Sequence, residues 1–330
     1  MTTLPTVALI ATGGTIDSLG ADRLDLAWYT ETGERLPEGS LLASLPEVAD
    51  IAVVRSVPFP RTPSYEITPH TWARLVQETQ QQIDSGVDAV VITHGTNTIE
   101  ETAFMLSLTV RCPVPVVVVG AMRPANALGA DGALNLVQAI RLAVAEQARG
   151  LGVLVLLNDT VFAARDVAKR ATFRADGFWA GDLGPLGYVD ADGFVDIRHR
   201  HARNGRVMFQ PGDVAAMPRV DIVVSHLGAD GTLIDAAVAA GARGIVSAGT
   251  GAGRPTAAED AALDRAVAQG VVVCQSTRVP TGRVSRSPRM RASGRVAAGS
   301  MPPWKARVAL ALCLTSSTEP EAVQKLLDDI

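Results

Sequence analysis

The stretch VDAVVITHGTNTIEETAFMLSLTVRCPVPVVVVG, residues 87–120, reads as strand, helix, strand. Val87–Thr93 and Val114–Gly120 are continuous apolar runs rich in valine, without the polar alternation of a half-exposed strand. Strands buried on both faces by crossover helices have that signature. Glu100–Val110 between them carries a helical pattern, so the unit predicts neighbouring parallel strands in an α/β sheet.

The same rhythm extends in both directions. Thr6–Ile10 is a strand-like opening, Gly132–Arg149 a further helix and Leu151–Asn158 the next strand. Periodicity weakens over residues 190–218, where Asp190-Ala191-Asp192-Gly193 and Asn204-Gly205 are turn signals. It resumes with strands at Val220–Ser225, Gly244–Ala248 and Val271–Gln275, and with helices at Leu233–Ala240, Ala257–Gln269 and from Glu319 onward. The expected organisation is two α/β domains. Residues 1–195 form the larger, with a parallel sheet of flavodoxin- or Rossmann-like layout; residues 196–218 link it to a smaller α/β domain over 219–330.

Composition narrows the classes. The 330 residues are 47% hydrophobic and 19% charged, with a formal net charge of −4, as in an ordinary soluble globular protein. No apolar run approaches the roughly 18 residues of a membrane span. The opening MTTLPTV lacks the features of a signal peptide, and a mildly acidic chain gives no reason to expect nucleic acid. Cys112, Cys274 and Cys313 fit reduced thiols in a cytoplasm better than disulfides or a metal site.

Two turns carry the candidate chemistry. ATGGTIDS, residues 11–18, leaves the first strand through Gly13-Gly14 held between Thr12 and Thr15. It matches neither the dinucleotide pattern G-x-G-x-x-G nor a P-loop. THGTNTIEET, residues 93–102, leaves another strand and opens a helix. Ligands of parallel α/β sheets gather outside those carboxyl ends, so two hydroxyl-bearing turns can converge on one small ligand. A threonine hydroxyl becomes a nucleophile once a base takes its proton, and a lysine of lowered pKa can serve. Lys169 follows a third strand end, where an exposed helical lysine is the plain alternative. His94 reads as a hydrogen-bonded structural histidine, and His199 with His201 as part of a solvated basic segment.

ATGGTI, THGTNTIEETA, VGAMRP, NDTVFAARDVAK, GIVSAGTGAG and RVPTG, in that order over nearly the whole chain, resemble the bacterial-type L-asparaginase/glutaminase family. The resemblance implies Thr15 as the nucleophile on a side-chain amide, Thr96 with Lys169 as a proton relay, and Tyr29 on a loop that closes beside the nucleophile. It also implies Ser64 as the binder of the substrate α-carboxylate, with Tyr65, Gly95 and Asn97 around it, and the backbone of Ala121 at the scissile amide. Trp72 falls in register with the same motif. A homotetramer built as a dimer of dimers is implied, with sites at subunit interfaces and neither metal nor organic cofactor.

The sequence departs from the family pattern around the substrate's α-ammonium. Asn97 stands for an expected aspartate, Tyr65 for a glutamine and Ala252 for an asparagine, and no acid follows RVPTG. Instead Ser276–Thr318 has no acidic residue and carries Arg278, Arg283, Arg286, Arg289, Arg291, Arg295, Lys305 and Arg307, a run that reads first as a basic surface face or subunit contact. Losing a carboxylate weakens attraction for an ammonium, so three functions follow as expectations. The first is an asparaginase-type amidohydrolase. The second is an ω-amidase for substrates without a free α-ammonium, such as succinamate or N-acylated asparagine. The third is a non-catalytic sensor on the same fold.

Overall fold

The computed structural model describes residues 3–200 and 209–330. The chain divides into two compact units, one ending at Pro211 and the other running from Gly212 to Ile330. His201 and the Asn204-Gly205 turn lie outside the described residues.

In the first unit the strands are β1 (Thr6–Ala11), β2 (Val53–Val57), β3 (Ala89–Thr93), β4 (Val116–Val119), β5 (Val153–Leu157) and β6 (Thr160–Ala163). The two-residue pair β7 (Ala168–Lys169) and β8 (Phe178–Trp179) follows, then β9 (Gly187–Val189) and β10 (Val195–Ile197). The large sheet has the order β10-β9-β6-β5-β4-β3-β1-β2. From β2 to β5 every pairing is parallel, and β3, β4 and β5 are buried along their whole length, as their valine runs predict. The other edge is different: β5–β6, β6–β9 and β9–β10 pair antiparallel. The Asp190–Gly193 turn signal joins β9 to β10, so sheet structure continues to Ile197, beyond residue 195.

The helices of this unit are α1 (Tyr29–Thr32), α2 (Ser40–Ala43), α3 (Pro69–Asp84), α4 (Ile99–Thr109) and α5 (Gly132–Val144). The helix expected over 132–149 stops at Val144, where Ala145 turns extended before a 3-10 turn over Glu146–Ala148. Helix α3 has no counterpart among the sequence expectations. Thr68 caps it by accepting from the Thr71 N–H, Pro69 occupies its first turn, and Trp72, Leu75, Val76, Thr79 and Ile83 form its buried face. Its Trp72 indole donates to the Thr102 hydroxyl at 2.9 Å, which joins α3 to α4.

A short helix, α6 (Pro211–Ala215), precedes the sheet of the second unit, β11 (Val220–Val224), β12 (Gly244–Gly249), β13 (Val272–Thr277) and β14 (Val296–Ala297). It is parallel throughout, in sequence order. Helices α7 (Thr232–Ala239), α8 (Ala257–Ala268), α9 (Pro288–Ala292), α10 (Pro303–Cys313) and α11 (Pro320–Asp329) complete it. A capping box starts α8: Thr256 accepts from the Glu259 N–H, and Glu259 accepts from the Thr256 N–H. Part of the basic stretch turns inward within this unit, at Arg286, Arg295 and Lys305, while Arg278, Arg283, Arg289 and Arg291 stay exposed. Arg289 and Arg295 pair with Asp260, Arg295 also with Asp264, and Arg286 with Glu321. Helix α10, also not expected, lies within that stretch and buries Lys305.

No disulfide links the three cysteines. Cys112 is partly buried in the first unit, and Cys274 and Cys313 are buried in the second. Burial pushes the Cys112 and Cys313 thiols up to about 12 and raises Cys274 further.

Candidate active site

Strand β1 lies between β2 and β3, so chain order reverses at the β1/β3 boundary and the loops leaving these two carboxyl ends diverge. A crevice opens at such a point. The glycine turn is built for close approach across it. Gly13 and Gly14 have φ of 95° and 110°, a region that favours glycine. A Cβ on Gly14 would lie 2.5 Å from the Gly95 Cα, so the first turn packs backbone to backbone on the second. Gly95 in turn makes room for Ser64, because a Cβ there would meet the Ser64 Oγ at 2.6 Å.

The two threonines around the glycines have separate tasks. The Thr12 hydroxyl donates to the Thr93 carbonyl at 2.8 Å and fastens β1 to β3. The buried Thr15 hydroxyl lies 2.8 Å from the Tyr29 hydroxyl, which α1 carries on the loop that follows. Burial raises the pKa of Tyr29, so its phenol is neutral at neutral pH.

Lys169 is not on a helix. It sits on β7, half-buried, and its Nζ donates to the Thr96 Oγ1 at 2.9 Å and the Asn97 Oδ1 at 3.2 Å. Burial lowers its pKa, with the Glu100 carboxylate opposing. The partners satisfy an ammonium while desolvation favours giving up its proton, as a base requires.

One cleft is lined by Thr15, Tyr29, Ser64, Tyr65, Gly95, Thr96 and Asn97. Ser64 is buried in a 3-10 turn whose carbonyl accepts from the Thr98 hydroxyl at 2.8 Å, whereas Tyr65 is largely exposed. Ala121 is fully buried and does not line the cleft. The backbone just after it is held by Asp131, whose carboxylate accepts from the Met122 and Arg123 N–H groups at 2.9 Å. Ser18, Thr30, Glu34 and Arg35 also line the cleft, and sequence reasoning did not find them. They come from the loop around Tyr29, and their only advance signal was its proximity to the glycine turn. His94 is fully buried with its Nδ1 2.8 Å from the Gly95 carbonyl, and burial lowers its pKa to about 4. It is a neutral structural histidine, as expected.

Among the described residues, no group of three His, Cys, Asp or Glu side chains is placed to hold a metal, and no helix is long and apolar enough to cross a membrane.

Residues 6–203 match the family profile described as Asparaginase, N-terminal, and residues 219–327 match the Glutaminase/Asparaginase C-terminal domain. The chain belongs to the asparaginase family. The family consists of hydrolases acting on amide C–N bonds. The chain is 38% identical to a probable periplasmic L-asparaginase of Haemophilus influenzae, over 99% of this chain and 93% of that one. It is 37% identical to L-asparaginase 2 of Escherichia coli, covering 98% and 93% of the two chains. A crystal structure of a probable cytoplasmic L-asparaginase from Campylobacter jejuni superposes with a TM-score of 0.93 at 33% identity, covering 98% of this chain and 99% of that one. Glutaminase-asparaginases also appear, including one of Pseudomonas aeruginosa at 35% identity over 98% of this chain and 90% of that one. The comparisons favour neither the ω-amidase nor the sensor. The names of the relatives span periplasmic and cytoplasmic forms.

Proposed function

We propose that this chain is an L-asparaginase that hydrolyses the side-chain amide of asparagine to aspartate and ammonia through an acyl-enzyme on Thr15. The observation that carries the reading is the convergence of two threonine hydroxyls on one cleft, Thr15 in contact with the Tyr29 hydroxyl and Thr96 accepting from the Lys169 ammonium behind it. In the first half-reaction the Thr15 Oγ1 attacks the amide carbon while its proton leaves through a neighbouring hydroxyl. The C–N bond then breaks, and the nitrogen departs as ammonia with a proton delivered by the site. Water attacks the resulting ester, the Thr15 oxygen recovers its proton, and aspartate leaves.

Lys169, its pKa lowered by burial, exchanges protons with Thr96, and the neutral Tyr29 phenol accepts or donates at Thr15 without net charge. Ser64 and the Gly95 backbone hold the α-carboxylate, and Asn97 and Tyr65 border the α-nitrogen. The active form is a homotetramer, a reading supported by the family resemblance, and three free thiols support a reducing, cytoplasmic compartment. Thr15→Ala tests the central claim. Ammonia release from asparagine should vanish while circular dichroism and oligomer mass stay native; appreciable turnover would remove Thr15 from the nucleophile role.

A further inference from the structure

The loop that carries Tyr29 is tied at its neck by a residue outside the cleft. The chain leaves the nucleophile turn at Asp17 and returns at Leu36, and Ser18 bridges Arg35 between them. The Leu36 N–H donates to the Asp17 carbonyl at 2.7 Å, and the Leu19 N–H to the Glu34 carbonyl at 2.9 Å. Arg61, from the segment between β2 and Ser64, spans this neck. One guanidinium nitrogen, Nη1, donates to the Leu36 carbonyl at 2.8 Å and to Asp17 Oδ2 at 3.2 Å. The Arg61 carbonyl accepts from Arg35 Nη1 at 3.0 Å, and the neighbouring Thr62 N–H donates to the Thr12 carbonyl at 3.0 Å. Gly13 leaves the space for this brace, since a Cβ there would lie 3.1 Å from Arg35 Nη1 and 3.3 Å from Arg61 Cβ.

Beyond the neck the loop is held at Gly20, which exchanges hydrogen bonds with the Asn126 side chain at 2.8 and 2.7 Å, and at Arg23, whose carbonyl accepts from the Leu128 N–H at 2.8 Å. Leu24 and Trp28 are exposed, and the Thr15–Tyr29 hydroxyl contact ties α1 to the nucleophile turn. Tyr29 lies between those ties and the returning end at residues 34–36, so an error of an ångström at the neck reaches its hydroxyl, and misplacement on that scale can cost about a hundredfold in rate. Resting on the reading of Thr15 and Tyr29 above, we propose that Arg61 is a positioning residue that sets Tyr29 on Thr15 by gripping the outgoing and returning ends of the loop at once. It does not line the cleft, so its effect passes through Tyr29 rather than through substrate.

The test is a double-mutant cycle on the full chain with asparagine. Arg61→Met should lower kcat by roughly 10–100-fold with KM changed little, and in a Tyr29→Phe background the same change should cost less than about threefold. Arg61→Lys should recover most of the activity, because a single nitrogen makes both contacts. Equal losses in the two backgrounds, a fully active Arg61→Met, or an Arg61→Lys no better than Arg61→Met would each overturn the proposal while leaving the Thr15 reading intact. A Tyr29→Phe enzyme with native activity would instead overturn the role of Tyr29, and this proposal with it. If Arg61→Met does not fold, Asp17→Asn removes the ion pair at constant shape. The same attenuation in the Tyr29→Phe background supports the brace, and equal losses refute it.

Discussion

Replacing Lys169 by Met, Thr96 by Val, and both together asks whether the two act as one proton-handling unit. Lys169 Nζ meets the Thr96 Oγ1 at 2.9 Å and the Asn97 Oδ1 at 3.2 Å. A hydrogen bond to a charged group is worth about 1.5–3 kcal/mol, which as positioning alone predicts a rate loss of roughly 10–160-fold. General acid–base transfer contributes about 10²–10⁴-fold, so each single variant should lose activity in that range. If the pair shares one task, the double variant should be no more than a few-fold worse than either single one. The coupling energy is then about 3–5 kcal/mol. Folding should not confuse the outcome for Lys169→Met. Burial depresses the lysine pKa in the folded state, so below that folded pKa its charge costs native stability, and the methionine variant should melt no lower than wild type. Ammonia release from asparagine, followed through a coupled glutamate dehydrogenase assay, gives kcat and KM for all four enzymes. Losses that multiply, to roughly 10⁴–10⁸-fold in the double variant, would refute a shared role.

The remaining predictions concern pH and the glycine turn. If neutral Lys169 is the working base, activity rises with pH through its folded pKa, which the Glu100 carboxylate holds up. Glu100→Gln should therefore move the acid limb of kcat to lower pH, and Asn97→Asp, placing a carboxylate near Nζ, should move it higher; shifts of the same sign would exclude Lys169 as the titrating group. Gly14→Ala puts a Cβ 2.5 Å from the Gly95 Cα at a φ of 110°, with backbone on both sides and nothing flexible to yield. It should cost at least about 2 kcal/mol in urea unfolding together with most of the activity, and a native midpoint would refute the close-packing argument.

What the sequence made legible depended on how local the physics was. The valine runs of β3, β4 and β5 announce burial on both faces, and those strands lie within a residue or two of their expected limits. Helix α3 was hidden because its second half, ETQQQID, has few apolar residues, although its Thr68-Pro69 start was readable. Helix α10 was hidden for the opposite reason, being buried on nearly every side and so lacking a stripe. The basic stretch suggested a surface face, and Arg278, Arg283, Arg289 and Arg291 are exposed, yet Arg295 is buried and finds Asp260 and Asp264 through tertiary contacts that no local pattern encodes. Thr15 and Thr96 could be found because each ends a strand in a marked turn. That Lys169 reaches Thr96, or that Arg61 reaches the loop neck, depends on contacts 73 and 44 residues apart.

The two buried cysteines give this protein a built-in clock. Thiol reagents are attacked by the thiolate, and a group at about 12 supplies roughly one thiolate in ten thousand at pH 8. Cys274 and Cys313 are also fully buried, so their labelling must wait for the surrounding structure to open, and its rate reports the frequency of opening rather than the chemistry of sulfur. Both belong to the second unit, whereas Cys112 of the first is only partly buried, so one reagent and a mass spectrometer time the opening of the second unit against an internal reference in a single sample.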